Sequence, residues 1–147
     1  MEKAQFINLI DNLGALASKD KWAPSYDKKL DQFYWHKKPL STDASLVKVS
    51  HEASLYFSKK GDVEGVLVEY LKSNFVDHNP VFSGLTSSFN VRVDNSLFTV
   101  STKDLSKIKP QLFGLVEAVK ADIYKDAWEK SYSVGDLSKL TNFAIKE

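Results

Sequence analysis

Hydrophobic and polar positions alternate with two different periods along this chain, and the switches between them outline the elements. From residue 2 to 18, Phe6, Leu9, Ile10, Leu13, Leu16 and Ala17 recur at helical spacing, with Asn8, Asp11 and Asn12 mostly off that stripe. The period then falls to two. Trp22–Tyr26 and Gln32–Lys37 are aromatic runs on either side of the polar stretch 27–31, which predicts a hairpin that Pro39 closes. Leu46–Phe57 alternates most clearly: Val47, Val49, Ala53, Leu55 and Phe57 share one face, so one long strand is expected there. After the turn signal 58–62, Val63–Leu71 carries apolar residues on both faces, the pattern of a central strand.

Residues 72–88 lose periodicity. Asn79-Pro80, Gly84 and Thr86-Ser87-Ser88 predict a loop with one helical turn. Phe89–Val93 and Leu97–Ser101 form a second expected hairpin around 94–96, in which Phe89, Val91 and Val93 alternate with Asn90 and Arg92 and meet Phe98 and Val100 across the pair. A short helix over 102–109 then leads into a long one that has Pro110 in its first turn. Leu112, Val116, Val119, Ile123 and Ala127 draw its stripe, flanked by Leu115 and Trp128. The tail 131–147 retains Leu137, Leu140, Phe143 and Ile145 and is expected to dock on the body. The fold class is α+β: a mostly antiparallel sheet of five to six strands, with an N-terminal helix and a long C-terminal helix on one face, in one domain spanning 1–147.

Composition narrows the chemistry. The chain has 147 residues and no cysteine, which excludes disulfides and thiolate chemistry. Twenty basic and 19 acidic residues leave a net charge of +1, and Arg92 is the one arginine, which argues against a dedicated surface for reading base edges. No apolar run is long enough to span a membrane and no leader pattern opens the chain, so a cytoplasmic protein is expected. No G-x-S-x-G elbow, phosphate-binding glycine loop or H-E-x-x-H pair occurs, and neither a metal nor a cofactor is expected.

Residues 19–38 stand out because six lysines face three aspartates there, interleaved with aromatics. The binding candidates are Trp22, Lys28, Phe33, Tyr34, Trp35 and His36. They lead to the first functional expectation: a non-catalytic intracellular binding or regulatory module that uses the aromatic hairpin or a sheet edge to contact a protein partner or its own twin. Lysines among aromatics on strands also suit single-stranded nucleic acid, the second expectation. The third is a small hydrolase or isomerase in which Asp77 and His78 share a pocket with His51, a histidine assigned to the apolar face beside Val49 and Ala53.

Tyr26-Asp27-x-x-x-Asp31-x-Phe33-Tyr34, then Leu55-Tyr56-Phe57 and Gly61-Asp62-Val63-Glu64-Gly65-Val66, resembles a family of short uncharacterised prokaryotic β-rich proteins. That resemblance spans residues 25–71 and implies a fold unit without an assigned activity. The element order is also similar to that of small secretion-system chaperones, which dimerise around an extended partner.

Overall fold

A computed structural model of the chain describes residues 3–129, with the side chains of Lys3 and of 126–129 left aside. The expected docking of 131–147 lies outside the described residues, and the expected packing of Ala127 and Trp128 rests on side chains that are not described.

Seven strands form one antiparallel sheet. They are β1 (Ala23–Asp27), β2 (Gln32–His36), β3 (Ser45–Lys48), β4 (Ala53–Phe57), β5 (Val63–Glu69), β6 (Val91–Asp94) and β7 (Leu97–Thr99). Their order is β3-β4-β5-β2-β1-β7-β6. The extra strand comes from Leu46–Phe57, which folds back on itself instead of running straight. Lys48 pairs with Ser54, and Val49 N–H and Ser50 N–H both donate to the Ala53 carbonyl. Because the paired residues have the same parity, Val47, Val49, Ala53, Leu55 and Phe57 all stay on the buried side through the turn. A hairpin with an even offset therefore reads in sequence like one strand.

Amphipathic helices cover one face of the sheet. The N-terminal stripe breaks at Asn12 into α1 (Lys3–Asp11) and α2 (Leu13–Lys19), where the Asn12 side-chain amide donates to the Asn8 carbonyl. Such local side-chain bonding competes with the helical ladder. The short and long helices expected from 102 onward are one uninterrupted helix, here α4 (Thr102–Glu129), which contains Pro110 in its interior. It starts eight residues before the proline because Ser101 caps it. Ser101 Oγ accepts from Asp104 N–H, and the hydroxyl donates back to the Asp104 carboxylate.

Phe6, Ile10 and Leu13 from α1 and α2, and Leu112, Leu115, Val119 and Ile123 from α4, join Tyr26, Phe33, Trp35, Leu55, Val66 and Val68 of the sheet in one core. Phe89 closes it at one end, with Tyr26 and Phe33 rings 6.0 and 5.9 Å away. Burying a large apolar side chain contributes about 1.5–3 kcal/mol, so this layer supplies most of the fold's cohesion.

The segment expected to be a loop is ordered by short helical pieces. A π-helical turn, Leu71–Phe75, runs into α3 (Val76–His78), and 3-10 turns follow at Pro80–Phe82 and Leu85–Ser88. Phe75, Phe82 and Leu85 plug into the core. Asp31 organises the start of this segment: its carboxylate accepts from Lys72 N–H, Ser73 N–H and Ser73 Oγ. The second hairpin differs from expectation. Phe89 is buried just ahead of it, but β6 is an edge strand whose Val91 and Val93 are exposed.

Candidate functional site

Strand alternation splits the 22–36 aromatics between the two faces. Trp22, Phe33 and Trp35 are 6%, 0% and 3% exposed, so they belong to the core and leave the contact surface first assigned to them. The reason is that Phe33 and Trp35 pair across β1 and β5 with Tyr26, Pro24, Val68 and Val66, all on the helix-covered face. Trp35 stacks edge-on with Trp22 and Phe113, and its Nε1 donates to the Trp22 carbonyl at 3.0 Å. Trp22 and Trp35 line a mainly apolar cavity of about 400 Å³ against α2 and α4. Lys28 lies with Nζ 3.9 Å above the Phe98 ring, a cation–π contact.

Tyr34 and His36 point the other way, onto the face that no helix among the described residues covers. Gly65 of β5 lies opposite His36 on one side and Tyr56 on the other. With no side chain between them, the His36 and Tyr56 rings meet at 5.6 Å and 70°. A Cβ at Gly65 would collide with the backbone and Cβ of His36 and with the Trp35 carbonyl, so the position requires glycine.

This floor opens into a cleft of about 370 Å³ bordered by Tyr34, His36 and Tyr56, with Asp27 and the 94–96 turn at one end. Burial pushes the Tyr34 and Tyr56 phenols above their ordinary values, so both stay neutral. His36 Nδ1 donates to the Lys37 carbonyl at 2.8 Å, which fixes the ring's orientation in the floor. Asp27 receives Lys29 N–H, Leu30 N–H and Ser96 Oγ on one oxygen. The Ser96 bond leads in holding its carboxyl below the usual range. No lysine or arginine is among the described residues lining the cleft.

The three residues of the hydrolase expectation do not share one pocket in the way supposed. His51 is exposed in the β3–β4 turn, not on the apolar face, because the strand breaks before it; its neighbour Glu52 is the buried one. Asp77 is exposed. His78 pairs with Glu52, Nε2 to Oε1 at 2.6 Å, and the other Glu52 oxygen accepts from Asn74 Nδ2 at 3.0 Å. Asp122 of α4 completes the group, with candidate ligand atoms of all three residues within 4.8 Å of one another. Burial raises the Glu52 carboxyl above its ordinary value; His78 and Asn74 work against that rise and Asp122 adds to it. Of this cluster sequence reasoning singled out only His78. Residues 52, 78 and 122 follow no local spacing, so no motif could have joined them.

Comparison with family models, curated proteins and solved structures finds no match to this chain. No helix among the described residues is long and apolar enough to cross a membrane.

Proposed function

We propose that this chain is a non-catalytic intracellular binding module that receives a lysine- or arginine-bearing segment of a protein partner on the sheet face opposite its described helices. The observation that carries this is the cleft itself. Its carboxylates, Asp27 and Asp94, sit at one end of an aromatic floor made by Tyr34, His36 and Tyr56, and no cation lines it among the described residues. A lysine or arginine can lay its alkyl stem along the rings and carry its charge to the carboxylates. The volume falls within the range of about 300–1,000 Å³ usual for ligand sites. Compared with the expectation from sequence, the contact surface moves from the buried Trp22, Phe33 and Trp35 to the opposite side of the same hairpin.

The test is calorimetric titration with an extended lysine-containing peptide and its glutamate counterpart. The lysine peptide should bind, more weakly at high salt, and Tyr34→Ala or Asp94→Asn should weaken it about tenfold, equivalent to ~1.4 kcal/mol. Equal affinity for the glutamate peptide, or no effect of either substitution, overturns the assignment. Salt-sensitive retention of a single-stranded oligonucleotide that drops with Lys28→Ala would replace it with the nucleic-acid reading.

A further inference from the structure

We propose that Glu52, His78 and Asp122 form a binding site for one divalent transition-metal ion, with Zn²⁺ the ion of choice. The three donors come from three separate elements, the β3–β4 turn, α3 and α4, and none of them lines the aromatic cleft. An imidazole nitrogen and two carboxylate oxygens make a donor set that zinc accepts, with a fourth position left for water.

Three features support a site over a chance meeting of side chains. The Glu52 side chain is 5% exposed, and its carboxylate has no lysine or arginine partner among the described residues. Asp122 brings a second carboxylate into the same group, so a divalent cation there would be shared by two carboxylates and an imidazole. Its orientation is held from outside the cluster. Asn74 donates to Oε2, the Glu52 carbonyl accepts from Glu69 N–H, and Oε1 is left to His78. Such outer partners orient metal ligands in general. The His78 ring is positioned by the edge of Phe75, at 5.6 Å.

The adjustment that binding demands is small. Tetrahedral ligands at zinc bonds of 2.0–2.1 Å lie about 3.3 Å apart. The His78–Glu52 contact of 2.6 Å would open by somewhat under ~1 Å, and the widest separation, at most 4.8 Å, would close by about 1.5 Å. His78, 43% exposed at its side chain, has the freedom to make that move.

The experiment is titration of the full chain with ZnCl₂ by calorimetry, with thermal unfolding as a second readout and circular dichroism as the check on folding. The wild type should take up one equivalent and melt at higher temperature. His78→Gln and Asp122→Asn should each lower affinity more than tenfold, and Asn74→Ala by about 10–100-fold. His51→Gln, one residue from Glu52 but outside the cluster, should bind as the wild type does. Absence of saturable uptake by the wild type would show an ion pair closed on itself and overturn the site. Uptake that survives both His78→Gln and Asp122→Asn would overturn it as well, by placing zinc elsewhere. Neither result bears on peptide binding in the cleft.

Discussion

Replacing Asp31 with alanine should unfasten the β1–β2 hairpin from the segment that follows β5. Asp31 sits at the end of the 27–31 turn with φ 55°, the left-handed region, which aspartate tolerates better than alanine does. Its carboxylate accepts from Tyr26 Oη at 2.5 Å, Lys72 N–H at 2.8 Å, Ser73 N–H at 2.9 Å and Ser73 Oγ at 2.8 Å. Hydrogen bonds to a charged group contribute about 1.5–3 kcal/mol each, but these share one half-exposed carboxylate and water replaces several of them on its removal. A total of about 2–4 kcal/mol follows, with ~1 kcal/mol more for alanine at positive φ. Asp31→Asn keeps the favourable backbone preference and loses the charge, so it should cost about half as much.

Urea unfolding followed by the fluorescence of buried Trp22 and Trp35 measures this loss. For slopes of about 1–3 kcal/mol per molar, the alanine midpoint should fall by at least ~1 M. Acidity supplies an independent check. Burial alone would raise the Asp31 carboxyl, but its four hydrogen bonds outweigh burial and hold it below the ordinary value. A carboxyl depressed in the folded state contributes its stability in full above the unfolded value near pH ~4 and loses it as pH falls through the folded value. The gap between wild type and Asp31→Ala should therefore narrow below about pH 4. A variant within ~0.5 kcal/mol of wild type at neutral pH, or a gap that does not narrow in acid, would refute the argument.

Gly65→Ala should cost about 3 kcal/mol or more in chemical denaturation, because the atoms in its way are the backbone and Cβ of His36 and the Trp35 carbonyl, none of which can swing aside. A loss no larger than that of Gly84→Ala, where a Cβ meets nothing, would show that the strands can part at this point. Pro110→Ala should raise the melting temperature, since it restores a ladder hydrogen bond inside α4 worth more than the ~0.4–1 kcal/mol that proline gains by restricting the unfolded chain. A lower melting temperature would mean that the ring is needed where it lies.

How far the sequence reaches depends on the range of the interaction that decides each feature. The α+β class, both helical stripes and the hairpin at 27–31 were legible because they rest on local periods and on turn residues such as Asp27, which caps Lys29 and Leu30. The capping bonds between Ser101 and Asp104 are local too and agree with the short helix expected over 102–109, but no local signal showed that it runs on through Pro110 as one helix. The fold of Leu46–Phe57 into two strands was not legible, since a hairpin of even offset leaves the alternation intact. Residue types placed aromatics in 22–36, but only pairing with β5 and β1 sent Phe33 and Trp35 into the core and left Tyr34 and His36 on the opposite face. The meeting of Glu52, His78 and Asp122 lay furthest from reach. It depends on a turn, a short helix and a long helix arriving at one place, and no spacing along the chain encodes that convergence.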